Sequence, residues 1–553
     1  MNHVKAVWFQ KCLTSLRFYP VSILSQTHQN IRVNIPNTNY RAGKMNKIHE
    51  TVNPITNVCS IASKPSISNK KRQRVGSVIK EFGLNTSAHG FPGIARSQTI
   101  HNRVFWTVSL LIFLGVMIYF VTESIIAYFQ YSTQTSVTVV VEYPQAFPAV
   151  TVCNYSPLRY DRFISPFLNY TNARNLTNTT NTTNFTMEQA SYIQEFLIYK
   201  LNQNESLNDY FYSLDSMMVS CNYNNMPCTT TNFTWFISPL YGLCYTFNAL
   251  LKSTGQAGLH YNGDNGGNGL LELSFYVHRK QYVPYVSNGI GMVALVHDNV
   301  QMPIVEMISM LLGPGKHHKL GYAKKTNLFL PAPYTSCNDK INLGMQAMFN
   351  QYDDTDYGYT QLPCSFACLQ AYTYKKCGCG NPYRWSGRTI VLPNTDTPIN
   401  IELCDIENPC YGVAATEMMS MQIIWNTYCS DCTLECTYSE FIIQSTSLSA
   451  PPPYMIDNIK QFVESSQVPL PEDWNTSYVS EIESNFISFE VAFETTRTEI
   501  YSQQPTMSPV DVISNVGGQT GLWIGISFLS LMEIAEMLYR LLRSQCHRLW
   551  TRT

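Results

Sequence analysis

The sequence predicts an α+β membrane protein in which two transmembrane helices flank a large cysteine-rich extracellular domain. Two uncharged runs lie at residues 104–122 and 512–532, and each is long enough to cross a bilayer core at about 1.5 Å per helical residue. Cysteine is concentrated between these runs, where 14 of the 17 cysteines lie. The net charge of −1 conceals a strong division of charge along the chain.

The first uncharged run, between Arg103 and Glu123, lies too far from the N-terminus to be a cleaved signal peptide. We therefore interpret it as a signal anchor and place the first transmembrane helix at 104–127. The region that precedes it, 1–103, begins with a stretch rich in Ser, Asn, Thr and Lys at 1–79. Such a composition predicts disorder.

The charge distribution predicts the orientation of both helices. Residues 1–103 hold 15 basic residues against Glu50 and Glu81 only, and the tail after Glu536 holds four arginines and no acid. The loop at 123–511 holds the remaining 18 basic and 34 acidic residues. Because positively charged flanks stay in the cytoplasm, we expect a multi-pass plasma-membrane protein with both termini inside and the loop outside.

The extracellular region, 128–511, mixes strand and helix signals without a regular repeat, which predicts an α+β domain. Ile487, Phe489, Val491 and Phe493 alternate with polar residues, which is the period of a half-buried strand. Further strands are predicted at 136–141, 149–153, 269–277 and 291–297, and helices at 187–200, 344–350 and 456–466.

The cysteines of the loop predict a disulfide framework, because an even number occurs in an oxidising context. Their most compact groups are Cys364-Ser-Phe-Ala-Cys368, Cys377-Gly-Cys379 and Cys429-Ser-Asp-Cys432-Thr-Leu-Glu-Cys436. Zinc is the alternative for such spacing, but no matching pair of histidines accompanies these cysteines. We therefore expect disulfides and no metal site.

Glycosylation sequons agree with an extracellular loop. Their crowding between 154 and 232 predicts an outward-facing, sugar-coated subregion. Asn85-Thr-Ser is a further sequon, which we expect to stay bare on the cytoplasmic side. The sequons of the loop are Asn154, Asn169, Asn175, Asn178, Asn181, Asn184, Asn204, Asn232 and Asn475.

The second span, placed at 512–542 before a short cytoplasmic tail at 543–553, is not a simple lipid-facing anchor. Its glycines are poor helix formers, and lipid cannot satisfy its serine hydroxyls. This composition, with two acids at the inner end, favours a helix that lines a water-filled path over a small-xxx-small packing face. The residues concerned are Gly517, Gly518, Gly521, Gly525, Ser514, Ser527, Ser530, Glu533 and Glu536.

The sequence contains no phosphate-binding loop, nucleophile elbow or acid pair at a defined spacing, so it does not predict an enzyme or a cofactor. Adjacent His317 and His318 would point in different directions in a strand or helix. Flanked by Lys316 and Lys319, they are typical of a solvated loop. The basic N-terminal segment is explained by membrane orientation, and we expect no binding of nucleic acid.

Several motifs, specific in combination, resemble those of the degenerin/epithelial sodium channel family, which also includes acid-sensing and invertebrate peptide-gated channels. The resemblance extends from about Phe82 to Leu542. Its motifs are His89-Gly90, Phe147-Pro-Ala-Val-Thr-Val-Cys-Asn154, Gly242-Leu-Cys-Tyr-Thr-Phe-Asn248, the cysteine groups and Gly517-Gly-Gln-Thr-Gly-Leu-Trp-Ile-Gly-Ile-Ser527. Within the family, His89-Gly-Phe-Pro-Gly-Ile-Ala95 and Gly525-Ile-Ser527 resemble the FMRFamide-type peptide-gated branch most closely.

The resemblance implies a homo- or heterotrimer in the lipid membrane, with a hand-like ectodomain of palm, knuckle, finger, thumb and β-ball above a pore for Na⁺. It also implies block by amiloride-type cations. Disulfides would join Cys153 to Cys244, Cys221 to Cys228, Cys337 to Cys436, Cys364 to Cys432, Cys368 to Cys429, Cys377 to Cys410 and Cys379 to Cys404.

By the same resemblance, Gly525, Ile526 and Ser527 would form the selectivity filter of the pore. A three-fold axis turns this segment into a ring of carbonyls and hydroxyls, which can replace part of the hydration shell of an ion. Bulky side chains at Ser514 would hold the channel open.

His89 and Gly90 would lie in a re-entrant segment that lines the inner pore and affects gating. Glu533 and Glu536 would line the ion path at the inner mouth, where their charge concentrates cations. For Glu536, an i,i+4 ion pair with Arg540 is an equally weighted alternative.

Two departures from the acid-sensing branch concern the stimulus. Where acid-sensing relatives have a tryptophan before the first thumb cysteine, this chain has Tyr334, which would meet Tyr128 outside the first helix and couple thumb to pore. Acid-sensing members also carry histidines shortly after the position of Tyr128, whereas Gln130-Tyr-Ser-Thr-Gln134 has none. Proton activation is therefore disfavoured.

We expect an extracellular ligand such as a short amidated neuropeptide to gate the channel. The alternative in the same class is a channel that is constitutively active or modulated by protons, calcium or force. An ATP-gated trimer and a two-pass lipid-binding scavenger-type receptor share the two-helix layout. The first would need paired ATP-binding lysines, and the second would not need glycine and serine throughout its second helix.

Overall fold

The computed structural model describes residues 75–262, 269–352 and 354–550. Apart from its last five residues, the segment predicted to be disordered, 1–79, lies outside these residues. The helices are α1 Val75–Asn85, α2 Phe91–Arg96, α3 Ile100–Phe129, α4 Tyr160–Ala173, α5 Met187–Ser191, α6 Ile193–Asn202, α7 Leu214–Met217, α8 Leu343–Phe349, α9 Gln361–Cys377, α10 Cys410–Ser420, α11 Gln422–Tyr428, α12 Ile456–Ser465, α13 Trp474–Asn485, α14 Pro509–Ile524 and α15 Phe528–Trp550.

The strands form one large and one smaller sheet, with short two-stranded pairs beside them. They are β1 Thr133–Val141, β2 Gln145–Ala146, β3 Ala149–Asn154, β4 Met218–Tyr223, β5 Met226–Pro227, β6 Phe233–Ser238, β7 Gly242–Phe247, β8 Tyr261–Asn262, β9 Leu270–Tyr276, β10 Met292–His297, β11 Met310–Leu312, β12 Lys316–Leu328, β13 Cys337–Asn338, β14 Thr389–Ile390, β15 Ile399–Asn400, β16 Leu434–Glu435, β17 Thr437–Ser449, β18 Phe486–Phe493 and β19 Arg497–Pro505. The mixed α+β class predicted for the extracellular region is confirmed.

The large sheet has the order β1-β19-β12-β18-β9-β4-β5, and β17 also pairs with β12. One face of its central strands packs into the main hydrophobic core through Leu320, Tyr322, Phe489 and Val491. The alternating pattern predicted β18 correctly as a strand. Ile487, Phe489 and Val491 are buried on one face, and on the other face Glu490 and Ala492 are partly exposed while Ser488 is 8% exposed.

The smaller sheet has the order β11-β10-β3-β7-β6, and Cys153 and Cys244 join β3 to β7 across a paired register position. The predicted strands at 136–141 and 149–153 lie within β1 and β3, whereas those at 269–277 and 291–297 extend one residue beyond β9 at each end and one residue before β10. The predicted helices at 344–350 and 456–466 correspond to α8 and α12. The helix predicted at 187–200 is divided into α5 and α6 at Tyr192.

The adjacent histidines lie in a strand, contrary to the predicted solvated loop. Both belong to β12, and alternation along the strand separates their side chains. His318 is buried and its Nε2 lies 3.0 Å from the carbonyl oxygen of Gly313. The Nδ1 atom of His317 lies 2.8 Å from the hydroxyl of Ser488 on the opposite face.

Seven disulfides close the extracellular region, as the cysteine count predicted. The pairs are those that the family resemblance implied: Cys153–Cys244, Cys221–Cys228, Cys337–Cys436, Cys364–Cys432, Cys368–Cys429, Cys377–Cys410 and Cys379–Cys404. Several of them cross-link α9 to α10, to the segment after α11 and to the loop before α10. A disulfide that closes a long loop lowers the conformational entropy of the unfolded chain. These links therefore stabilise the folded form of a region with few strands.

One predicted glycosylation site is incompatible with the fold. Asn154 is 1% exposed, and its side-chain nitrogen donates to the carbonyl oxygen of Val277 at 3.1 Å. Its side-chain oxygen accepts a hydrogen bond of 2.6 Å from the Tyr282 hydroxyl. A glycan on this nitrogen would break both the bond and the packing. Asn175, in contrast, is exposed.

Two parts of the described chain have the length and composition of a membrane span. Helix α3 is one, although it begins and ends beyond the predicted 104–127. The other is a pair of helices, α14 and residues 528–543 of α15, which meet at a bend of 72°. The second span is therefore broken rather than a continuous helix over 512–542.

We expect glycosidase treatment to shift the mass of a full-length variant that keeps only the Asn175 sequon. Variants that keep only Asn154 or only Asn85 should show no shift, the first because its side chain is buried and the second because the charge distribution predicts a cytoplasmic location for it. Gel mobility before and after treatment measures this. Sugar on Asn85 would contradict the proposed orientation, and sugar on Asn154 would contradict the packing of β3.

Candidate functional site

The second span opens at Gly525, and the local sequence explains why. Helix α14 begins with a capping box in which Ser508 and Asp511 exchange hydrogen bonds, with Pro509 at the first position. It ends where Gly525 adopts a left-handed conformation, with φ of 67°. Glycine adopts this conformation without the steric cost that a Cβ atom imposes, so it ends the helix here.

The imidazole ring of His89 fills the space that a side chain at position 525 would need. A Cβ atom built on Gly525 would lie 2.7 Å from the imidazole ring. The backbone N–H of His89 also donates to the carbonyl oxygen of Ile524 at 2.7 Å. Glycine is thus required at 525 both for backbone conformation and for space. The structure brings the predicted His-Gly motif and the predicted filter segment together.

Ser527 restarts the helix on the inner side of the break. Its hydroxyl accepts a hydrogen bond from the backbone N–H of Ser530 at 3.3 Å, as an N-cap residue does for the helix that follows. Ser530 is completely buried, and its hydroxyl lies 2.6 Å from that of Ser87. The serines of the break are therefore held by protein partners, as hydroxyls in a membrane require.

The segment between α1 and α2 packs beside the broken span and is anchored on Glu533. One carboxylate oxygen of Glu533 accepts hydrogen bonds from the Thr86 hydroxyl at 2.9 Å, the Ser87 N–H at 3.0 Å and the Ser87 hydroxyl at 3.3 Å. Hydrogen bonds to an ionised acceptor are among the stronger ones in proteins. Gly90 then turns the chain into α2 with φ of 87°.

Glu536 has a different partner. Its carboxylate accepts a 2.6 Å hydrogen bond from Arg540, and Arg540 also reaches Glu81 of α1 at 3.3 Å. This is the ion-pair alternative that the sequence left open. All three side chains are more than two-fifths exposed in the single chain, so the pairs contribute modestly. A cavity of about 240 Å³ separates α1 from α15 at this point, lined by Glu81, Glu533 and Glu536.

The aromatic contact predicted between Tyr128 and Tyr334 is made by a neighbouring tyrosine. The Tyr131 ring packs edge-on against Tyr334, with 5.5 Å between centroids, and Tyr128 lies behind it at 6.1 Å. The residue that contacts Tyr334 therefore lies three positions after the predicted one. Helix α3 ends at Phe129 and Tyr131 has φ of 49°, so the chain turns outward there and presents this ring instead.

The two spans leave the same edge of the large sheet. Strand β1 follows α3, strand β19 precedes α14, and the two pair antiparallel from Thr133 opposite Pro505 to Val141 opposite Arg497. Ser514 lies one turn into α14 and is exposed in the single chain. At Gly517, Gly518 and Gly521 an added Cβ atom would meet nothing within 4 Å in the part of the chain that the structure describes. This face of α14 is therefore open.

Several residues of the site were missed by sequence reasoning. Thr86 and Ser87 were read only as part of an unused sequon, although two hydroxyls beside a His-Gly turn are a reasonable signal for a carboxylate anchor. Nothing in the sequence identified Ser87 as the partner of Ser530, because that pairing depends on the bend. Tyr131 was noted only for the absence of histidine around it.

Comparisons with known proteins agree with these motifs. The model of a family described as amiloride-sensitive sodium channel matches residues 82–537. Acid-sensing ion channel 1C of Danio rerio is 24% identical over 489 residues, which cover 84% of this chain and 84% of the relative. Degenerin-like protein asic-2 of Caenorhabditis elegans is 24% identical over 508 residues, with 83% and 86% covered.

An epithelial sodium channel subunit is also similar over the shared part. The gamma subunit of Xenopus laevis is 24% identical over 329 residues, which are 59% of this chain. The chain spans 46% of the length of that relative.

The anchor on Glu533 can be tested by cysteine accessibility. Ala88 is 2% exposed, so a cysteine there, in a background with Cys12, Cys59 and Cys546 changed to serine, should react slowly with a membrane-impermeant maleimide applied from the cytoplasmic side. Adding Glu533→Ala should accelerate the reaction several-fold, because it removes the three hydrogen bonds that hold Thr86 and Ser87. Glu536→Ala is the matched control and should leave the rate unchanged. Equal rates in the two variants would refute the anchor.

Proposed function

The chain belongs to the amiloride-sensitive sodium channel family, and we propose that it forms a sodium-selective cation channel of the plasma membrane from three copies of itself or of related chains. Its relatives are ion channels, so the prediction that it is not an enzyme is confirmed. The same membership favours a channel over the lipid-binding receptor that the two-span layout also allowed.

The observation that carries the proposal is the break at Gly525. An uninterrupted membrane helix uses its backbone groups internally, whereas a break takes the backbone of this segment out of the helical pattern, so that in the proposed trimer its carbonyls and the Ser527 hydroxyl would face the ion. Three copies around one axis would form the filter from Gly525, Ile526 and Ser527. Irregular backbone at membrane depth is tolerated where it lines a water-filled cavity, which supports a pore at this position.

The glycine face of α14 supports three-fold assembly. Gly517 and Gly521 lie one turn apart, and among the described residues of the single chain no other element lies within 4 Å of a Cβ atom built at either position. Small residues on a membrane helix allow close approach of neighbouring helices or a narrow aqueous lumen. In the proposed trimer this face turns to the axis, with Ser514 near its outer end at the position where a bulky side chain props the pore open.

Of the two inner acids, Glu533 is the better candidate for the ion path. Its hydrogen-bond donors are neutral, so its negative charge is not cancelled by a cation. Glu536 is paired with Arg540, which reduces its field. In a trimer the three Glu533 carboxylates would raise the local concentration of Na⁺ just inside the filter. Amiloride-type cations are proposed to block the same path.

For the stimulus we favour an extracellular peptide. The filter and the His-Gly segment resemble the peptide-gated branch, and the acidic loop attracts cationic ligands. Burial lowers the pKa of His278 and of His297 to about 4, so neither imidazole gains a proton in mild acid. This weakens the alternative of proton gating. Tyr131 and Tyr334 are then proposed to pass movement of the thumb to the first span.

Ser527 provides the test of the pore. Replacing it with alanine or valine should lower the sodium-to-potassium permeability ratio. Both variants lose the ring of hydroxyls, and valine also narrows the pore. Reversal potentials under bi-ionic conditions measure this, and a tenfold loss of selectivity shifts them by ~59 mV. Leu529→Ala, which changes an exposed apolar side chain on the same helix, is the control for general disruption. Intact currents with unchanged reversal potentials in every Ser527 variant would place ion selection elsewhere.

The stimulus can be identified by expression in oocytes. We expect a member of an amidated neuropeptide library to evoke an amiloride-sensitive sodium current, and acid or alkaline steps alone to evoke little. A variant with a bulky residue at Ser514 serves as the positive control for conduction without stimulus. A large resting current that no peptide alters and that protons or calcium change would exclude peptide gating while leaving the channel intact.

A further inference from the structure

An aromatic sandwich joins the first span to the last turn of α14. The indole of Trp523 stacks on Phe113 with 6.0 Å between centroids and 22° between planes, and on Phe120 with 6.1 Å and 2°. Phe113 and Phe120 lie seven residues apart on α3, about 10.5 Å along the helix axis. That spacing leaves room for one ring between them, which Trp523 fills.

The polar edge of the indole is also fixed. Its Nε1–H donates to the Gln519 side-chain oxygen at 2.8 Å, one turn earlier on α14. The indole N–H of a tryptophan in a membrane needs such a partner, because lipid offers none. The side chain is therefore held on both faces and at its N–H. Rotation of the end of α14 against α3 would disrupt both ring contacts.

This side chain lies two residues before the break. Ile524, between Trp523 and Gly525, is buried and accepts the hydrogen bond from His89. The re-entrant turn rests on the same face of α3, because an added Cβ atom at Gly90 would lie 3.1 Å from Leu110. One face of the first span thus contacts two parts of the site. Leu110 contacts the turn at Gly90, and Phe113 and Phe120 contact the end of α14.

We propose that Trp523 is a positioning residue for ion selection, which sets the rotation of the Gly525–Ser527 segment through its stacking between Phe113 and Phe120. The proposal rests on the proposed function, in which that segment is the filter. It assigns to the first span a part in selectivity, although no residue of that span belongs to the filter. The rings act on the direction of the carbonyls and hydroxyls that face the ion.

A simple packing role and a positioning role predict different results. Loss of packing lowers the amount of channel at the surface and the current together. Loss of positioning changes the permeability ratio of the channels that remain. The readout is therefore the sodium-to-potassium permeability ratio, measured by reversal potential in a full-length chain that carries a bulky residue at Ser514 and conducts without stimulus.

Trp523→Ala should lower the permeability ratio by about tenfold, the factor expected for the loss of two ring contacts. Trp523→Phe retains a ring between the two phenylalanines and should restore most of the ratio. Phe113→Leu with Phe120→Leu should reproduce the loss, and adding Trp523→Ala to that pair should have little further effect. Ile112→Ala, which changes an exposed residue on the same helix, is the matched control and should leave the ratio unchanged.

An unchanged ratio in Trp523→Ala would overturn the proposal. If that variant gives no current, the Phe113→Leu and Phe120→Leu pair decides, since it retains apolar bulk and loses only the rings; an unchanged ratio there overturns it equally. Ser527→Ala in the same background separates the two proposals. A shift with Ser527→Ala but none with the aromatic variants leaves the pore intact and removes Trp523 from selection, whereas no shift in any variant rejects the filter itself.

Discussion

The structure of the second span depends on one constraint: a membrane helix that opens must find other partners for its polar groups, because lipid supplies none. At Gly525 the partners come from the segment between α1 and α2. The N–H of His89 binds the Ile524 carbonyl, Ser87 meets Ser530, and Ser87 with Thr86 holds Glu533. The break and the re-entrant segment are therefore one unit. Neither conformation would be stable in a bilayer without the other.

A second constraint acts at the outer ends of the spans. Strands β1 and β19 pair along nine residues, and each continues directly into one span. The same sheet carries β12 at its centre, which also pairs with β17, the strand that directly follows Cys436 of the disulfide-closed region. A displacement of the ectodomain that moves this ladder consequently acts on both spans at once. The contact of Tyr131 with Tyr334 adds a second, shorter connection to the first span only.

Much of this architecture could be predicted from the sequence, but the parts that depend on contacts between distant segments could not. Hydrophobic runs and charge predicted the spans, and β-branched runs predicted strands such as β3 and β10. Disulfide pairing came from the resemblance alone. Glycine at 525 indicated that the helix could open, yet the bend of 72° depends on how His89 packs against it. Asn154 has a sequon, but its side chain is held by Val277 and Tyr282, which lie more than 100 residues away. Local patterns do not contain such distant contacts.

The distribution of contacts also indicates which part of the second span can move. From Trp523 to Glu533 the chain is held by the rings of α3, by His89 and by Thr86 and Ser87. At Gly517, Gly518 and Gly521 an added Cβ atom would meet no atom of another described element within 4 Å. Segments with few contacts open at lower free energy than well-packed ones. In the proposed channel, a gate that uses the outer half of α14 can therefore move while the filter keeps its geometry. A bulky side chain at Ser514 acts on that outer half, at a distance from the residues that select the ion.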